Sequence, residues 1–377
     1  MTSEYRLAHG TVDPVIDAER PPASVGVRAD PSYNDLADVK LGTVREAFSG
    51  VVHKRSAALS YGWLAFDATL YAAFVVGALV VHGLPLKVLF GLLAGVMTAS
   101  LFVWAHDASH GALFGLTRKA EILGTLAMLP SLQMYRLWSY GHNRVHHGFT
   151  SLSTVDWIWR PWMPSEYRAA SRTARMVYRV ERSLAGCGLH YFLRVWWDGM
   201  VRFRGDEKLR DKYHFGVSKL ITAAFAVGGG ALAWIVGGGW TATFAVIVVP
   251  WLVFNYAIAL IIYLHHTHPR LPFFNDRQRW NATIGQVACS TIVRGPRIYE
   301  VVTHNISVHT PHHVDTRIPF YRLKEGYADL LAAGYGPEIV EYRFSWSAVR
   351  AIFRTCKLFD FDTQTWYRFS DLDQIPL

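Results

Sequence analysis

Twelve of the chain's 17 histidines fall in four short stretches: HDASH (106–110), HNRVHH (142–147), HHTHP (265–269) and HNISVHTPHH (304–313). On a helix, residues three and four apart share a face. His106 and His110 are therefore expected to point one way, as are His142 with His146, and His309 with His312 and His313. Imidazole is the commonest metal ligand, binds in its neutral form, and suits zinc, copper, iron and nickel. No cysteine stands among these histidines, which argues against a closed structural zinc site. One HxxxH pair is a weak signal, because a lone histidine on an apolar face is more often a satisfied core residue. Three such boxes plus HTHP, each just beyond an apolar run, point to metal. Eight histidines in the boxes exceed what one ion takes, since first-row metals bind four to six ligands and a reactive one keeps a position open. With His268 the count is nine, which two ions can share. Zinc would use such a site for hydrolysis beside a general base, but no HExxH or similar glutamate is present. Iron can bind and reduce O2, so oxidative chemistry is the expectation.

These histidines need elements to position them. The 377 residues are 51% apolar and 14% aromatic, and the apolar residues gather in long runs rather than in the spread of a soluble fold. Runs at about 59–81, 84–105, 217–239 and 240–264 each hold the roughly 20 residues that cross a hydrocarbon core. Only HGLPL separates the first two and GGGW the second two, so each pair is expected to run antiparallel. The expected fold is all-α and integral to the membrane: four transmembrane helices in two hairpins with a helical cap. All four histidine clusters then lie on one membrane face. Lys54, Arg55, Arg118, Lys119, Lys208, Arg210, Lys212 and Arg270 flank that face, and the opposite loops carry little beyond Lys87. The positive-inside rule makes the histidine face cytoplasmic, with both termini. Asp67, inside the first run, is expected to be protonated or hydrogen-bonded against a neighbouring helix.

The remaining segments are expected to serve this core. Residues 1–55 read as a partly disordered cytosolic arm, 56–330 as the membrane domain and 331–377 as a C-terminal cytosolic segment. The first apolar run begins too late for a cleaved leader and should stay in the membrane. Residues 120–135, broken by Pro130, are too short to span and should lie in or re-enter the interface. The Arg- and Trp-rich stretch 160–212 suits helices at the headgroup level or a cap over the site. Cys187, Cys289 and Cys356 form no CxxC or disulfide-like framework and read as buried small residues. The net charge of +9 comes without a basic tail or nucleic-acid motif, and is read as loops facing an anionic leaflet.

The three boxes resemble those of the membrane fatty acid desaturases, in the acyl-lipid, Δ12/ω6-like branch of the desaturase and hydroxylase superfamily. HDASH resembles the first box, HNRVHH the second in its HxxxHH form and HTPHH the third in its HxxHH form. IIYLHHTHPRLPFF is similar to that family's YLQHTHP segment, and HNIS to its HNIT. The likeness covers about 60–327. It implies a four-helix membrane core with a cytoplasmic cap and a non-haem di-iron centre. The implied ligands are His106, His110, His142, His146, His147, His309, His312 and His313, with His268 ninth. His266 is a ligand or a supporting group; His304 is the more expected to support a ligand than to be one, and His265 to be neither. Asp107 and Asp156, beside the boxes, would orient ligand rings. The chain departs from the family pattern at Ala108 and Ser109, and is one residue shorter between HNIS and HTPHH.

By that resemblance the reaction uses O2 and two electrons to convert two adjacent methylenes of an acyl chain, carried by lipid, CoA or acyl carrier protein, into a cis double bond. Protein catalysis would be mainly positioning, because the C–H bonds along the chain differ little. Electrons would come from a separate donor such as ferredoxin or cytochrome b5 with its reductase, for which the basic stretch 160–212 is the expected face. A hydroxylase, epoxygenase, acetylenase or carotenoid ketolase would carry the same boxes. A metal transporter or haem-binding subunit would place ionisable residues along the spans, where only Asp67 qualifies.

Overall fold

The computed structural model describes residues 25–375. The chain is mostly helical, and four helices are long and apolar enough to cross a membrane: α1 (Ala57–Val80), α2 (Leu84–Ser109), α3 (Phe215–Gly237) and α4 (Trp240–His266). Along their apolar stretches α2 and α4 are 67% and 50% buried, whereas α1 and α3 are 11% and 22% buried. Leu220, Val227 and Ile235 of α3 are 70%, 74% and 77% exposed. Such a surface is stable only against lipid or another apolar partner.

Local chemistry sets where these helices begin and how closely they pack. The Ser56 hydroxyl accepts from the Leu59 N–H and caps α1. Gly83, at φ +83, turns the chain into α2, whose first turn holds Pro85. A Cβ on Gly91 would lie 2.4 Å from Ala245 O, and one on Gly95 2.5 Å from the Val253 Cβ. These glycines therefore let α2 and α4 approach backbone to backbone, as small residues do between membrane helices. Inside α4 the stretch Phe244–Val248 is π-helical. Pro250 follows it, and its missing N–H removes one helical bond.

At one end of the four helices the buried Lys87 donates to Ala78 O at 3.0 Å, Leu79 O at 3.2 Å and Gly237 O at 3.0 Å. One ammonium thus satisfies final carbonyls of both α1 and α3. At the other end Trp104 Nε1 donates to Ser60 O at 2.7 Å. Here the shorter elements gather. The helix Arg118–Met128 has 11 residues, about 17 Å at 1.5 Å per residue, and is too short to cross a bilayer. Beyond it come Tyr135–Tyr140, the π-helical Gly141–His146 and a second π-helical stretch, Tyr191–Arg202.

Two small sheets qualify the all-α expectation. β1 (Val27–Arg28), β4 (Leu358–Asp360) and β5 (Thr365–Tyr367) form an antiparallel sheet in the order β1-β5-β4. β2 (Thr291–Arg294) and β3 (Val340–Arg343) pair in parallel. Val27 lies opposite Trp366, and Arg270 binds Asp30 at 2.6 Å. Residues 25–40, expected to be a loose arm, are therefore built into the fold, while residues 1–24 lie outside the described residues. The C-terminal stretch is also docked: Phe353 stacks on Tyr263 of α4 at 4.1 Å.

Candidate metal centre

Nine imidazoles converge beneath the ends of α2 and α4, in two groups. His106, His110, His142, His147 and His312 form one, and His146, His266, His309 and His313 the other, with ligand atoms in each group lying within 4.8 Å of one another. The first box stays together, as an i, i+4 pair should. The second and third are each divided between the groups. In the second, the π-turn carries the His147 N–H to His142 O, five residues back. That wider turn sets His142 and His147 tip to tip, Nε2 to Nε2 at 3.1 Å, and sends His146 to the other group. His142 and His146 therefore do not share a group, contrary to the α-helical expectation. In the third, His309 and His313 meet at 3.1 Å while His312 reaches His147 at 3.1 Å.

The ninth ring is His266 rather than His268. His266 Nε2 lies 3.2 Å from His146 Nε2 and 3.1 Å from His309 Nε2. His268 falls outside both groups: the helix ends at Thr267, which is extended at φ −137, ψ 111. Its ring turns away to stack on Tyr342 at 5.2 Å, and its Nδ1 accepts from the Arg270 N–H. His265 also stands apart, with Nε2 3.2 Å from Ser307 Oγ. His304 belongs to neither group and pairs with Asp67 of α1, Nε2 to Oδ2 at 2.7 Å. The buried carboxylate of α1 and the histidine of HNIS thus answer each other.

The donor set fits a pair of transition-metal ions. Two nitrogens bound to one ion at about 2.1 Å and at right angles lie about 3.0 Å apart. The Nε2 contacts of 3.1–3.2 Å have that spacing. The outer nitrogens agree. His106 Nδ1 meets Asp107 Oδ1 at 2.9 Å and His146 Nδ1 meets Asp156 Oδ2 at 3.0 Å. His266 Nδ1 faces Cys289 O at 3.1 Å, His309 Nδ1 faces Ile306 O at 3.0 Å, and His313 Nδ1 faces Gln286 Oε1 at 3.0 Å. An acceptor on Nδ1 holds the proton there and leaves the Nε2 lone pair for a metal. Burial first, then neighbouring rings, hold His110, His142, His147, His309, His312 and His313 well below the usual imidazole range, which keeps them neutral. Asp107 and Asp156 each touch one ring through its outer nitrogen and stand behind the ligand atoms rather than among them. Each is itself fixed by backbone, Asp107 by the Phe320 N–H at 2.6 Å and Asp156 by the Ser151 N–H at 3.1 Å.

Sequence reasoning passed over Gln286. It bridges the groups, holding His313 and donating from Nε2 to His147 O at 2.6 Å. A single glutamine in ATIGQVACS carries no motif that marks it. Trp138 was likewise unmarked and stacks on His142 at 4.4 Å.

The rings are reached from two sides. A narrow apolar cleft of about 80 Å³ touches His106, His142, His146, His266 and His309 between walls such as Phe102, Ile258 and Ile262. An open polar cleft of about 1000 Å³ reaches His110, His147 and His313 past Arg118, Arg136, Arg144 and Lys212. Of the stretch 160–212 expected to receive an electron donor, only Lys212 borders this cleft.

Residues 82–346 match the family model for fatty acid desaturases. The chain belongs to the fatty acid desaturase family. Its relatives include the sn-1 oleoyl-lipid 12-desaturase of Picosynechococcus, 29% identical over 280 residues that cover 71% of this chain and 75% of that one. The protein of the same description from Synechocystis is 26% identical over 349 residues, covering 90% and 95%. The chloroplastic omega-6 fatty acid desaturase of Spinacia oleracea is 28% identical over 271 residues, covering 71% of this chain and 58% of the spinach protein. This is a family of non-haem di-iron desaturases, and the chain is accordingly an oxidoreductase that desaturates fatty acyl chains.

Proposed function

We propose that this desaturase introduces a cis double bond at a Δ12/ω6-like position of an acyl chain esterified to membrane lipid. Two iron ions are held by the nine rings of the two groups, five on one and four on the other. The observation that carries the reading is the convergence of nine imidazoles, in groups of five and four, beside an apolar cleft. Iron bound there supplies the reduction of O2 and the removal of two hydrogens: one acyl CH2–CH2, O2, two electrons and two protons give CH=CH and two waters. The chain's own residues do the rest. Asp107, Asp156, Gln286 and two backbone carbonyls fix ring tautomers. Phe102, Ile258 and Ile262 exclude water and hold the methylenes in register, which selects among bonds of nearly equal strength.

In the membrane, α1 with α2 and α3 with α4 make two hairpins. The far end carries Lys87, but that ammonium is spent on helix carbonyls. Lys54, Arg55, Arg118, Lys119, Lys208, Arg210 and Lys212 gather at the histidine end, which supports a cytoplasmic position for the cap and both termini. Residues 56–330 act as the desaturase domain, with 25–55 and 331–375 packed over it. The electron donor is a separate acidic carrier of the ferredoxin kind, and the open basic cleft beside His110 and His147 suits it better than the stretch 160–212.

Reconstitution tests this. The purified chain, loaded with iron and placed in vesicles of oleoyl glycerolipid with a reduced ferredoxin and O2, should yield diunsaturated lipid. Products gaining one oxygen, with no loss of hydrogen, would instead identify a hydroxylase.

A further inference from the structure

Asp67 and His304 stand where local structure does not ask for them. Along its apolar stretch α1 is only 11% buried, and a carboxylate in such a helix is costly and adds nothing to it. His304 follows the helix Arg297–Val302 in a left-handed turn, with φ +49 at His304 and +56 at Asn305. Glycine or asparagine would serve that turn as well, so the turn does not call for an imidazole. What the two side chains have is each other. Both are 1% exposed, His304 Nε2 meets Asp67 Oδ2 at 2.7 Å, and the ring lies edge-on to Trp63 of α1 at 4.9 Å. Among the described residues, Asp67 Oδ1 and His304 Nδ1 have no hydrogen-bond partner. The bond between the two groups therefore offsets the burial of both, and removing either leaves the other unsatisfied in an apolar setting.

The turn they anchor shapes the surroundings of one metal-binding ring. Just beyond the left-handed residues, Ile306 O accepts from His309 Nδ1 at 3.0 Å. Ser307 Oγ, 2.7 Å from Tyr299 Oη, lies 3.2 Å from His265 Nε2, and the His265 ring covers that of His309 at 4.1 Å. Two successive residues therefore fix His309, one at its outer nitrogen and one across its face. His309 is the central ring of the group of four, its Nε2 touching those of His266 and His313, each at 3.1 Å. Left-handed residues with side chains persist only where their surroundings hold them. Locally, the His304 and Asn305 N–H groups bond back to Val301 O and Glu300 O. The far end of the turn is pinned by β2, where the Val293 N–H donates to Ser307 O at 2.8 Å. Its near end is tied to α1 by Asp67.

We infer that Asp67 and His304 are a positioning pair: through their hydrogen bond α1 holds the turn 304–308 so that Ile306 O and His265 aim His309 at the ion of the group of four. The inference rests on the division of the rings into five and four. Its test is metal release from the full chain in vesicles of oleoyl glycerolipid, loaded with iron and challenged with a chelator. Two backgrounds separate the sites: His312→Ala, which should keep the ion of the group of four, and His309→Ala, which should keep that of the five. Added to His312→Ala, Asp67→Leu and His304→Gly should each speed release on the order of tenfold, the lower end of the cost of losing a partner behind a ligand. Added to His309→Ala, neither should change the rate. His304→Gly leaves the left-handed turn unstrained, so its effect belongs to the lost ring. Asp67→Asn keeps an oxygen that accepts from His304 Nε2 and should restore the slow rate. Lys87→Met removes the contacts to Ala78 O and Leu79 O at the opposite end of α1 and should leave both rates unchanged, which separates the aiming of His309 from a general loosening of the helix. Unchanged release when Asp67→Leu and His304→Gly are added to His312→Ala would overturn the inference. So would equal acceleration in the His309→Ala background or by Lys87→Met, or release as fast from Asp67→Asn as from Asp67→Leu. A His312→Ala chain that holds no ion before any change at Asp67 would instead overturn the division into groups.

Discussion

The two imidazole groups are built to different standards. In the group of four, every ring is buried and every outer nitrogen faces an acceptor: Asp156, Cys289 O, Ile306 O and Gln286. In the group of five, only His106 has such a partner, Asp107. Among the described residues the outer nitrogens of His147 and His312 have no hydrogen-bond partner, and His142 and His147 are part-exposed. One group is thus locked by its surroundings, while the other is held mainly by its number of rings and opens toward the polar cleft. Rings without an oriented outer nitrogen can rotate, so their metal should exchange faster although more ligands hold it.

The largest expected effect comes from removing one ring from each group. His312→Ala and His309→Ala should both abolish desaturation, because the reaction needs both ions, and both chains should remain in the membrane. Metal analysis then separates them: each variant should keep about one ion, in the untouched group. Two ions retained in either variant would break the division into five and four.

Chelation of the wild type sharpens the contrast without mutation. Metal should leave in two phases, the faster from the group of five. Asp156→Asn and Gln286→Leu should then weaken the slower site by roughly 10- to 100-fold, the usual cost of losing a partner behind a ligand, and draw the two phases together. Asp107→Asn should speed only the fast phase. A single phase in the wild type would mean that the outer nitrogens do not govern retention.

Part of this was legible in the chain. The four apolar runs match α1 to α4 within a few residues, since a bilayer-length run leaves little choice of structure. That the boxes meet was also readable. How they divide was not, because α-helical spacing predicts neighbours at i+4, and HNRVHH uses a π-turn that pairs i with i+5. Choosing between His266 and His268 depended on where α4 stops. Thr267, a single extended residue, turns the next ring away, and helix ends are set by tertiary packing more than by local sequence. β1 to β5 are two to four residues each, too short for a period to emerge.

The smallest effect tests whether the locked group owes its rigidity to hydrogen bonds or to packing alone. Thr150 Oγ1 donates to the backbone His146 O at 2.8 Å and lies 3.3 Å from His313 Nδ1, touching the main chain of one member of the group of four and the ring of another. Thr150→Val keeps the shape and removes the hydroxyl. A buried bond of this kind contributes about 1 kcal/mol, and the carbonyl left behind still serves its helix. The slow phase of metal release should therefore quicken by only about fivefold, with the fast phase and the metal count unchanged. If instead the fast phase moves and the slow one does not, the hydroxyl serves the wrong group and the contrast between them rests on burial.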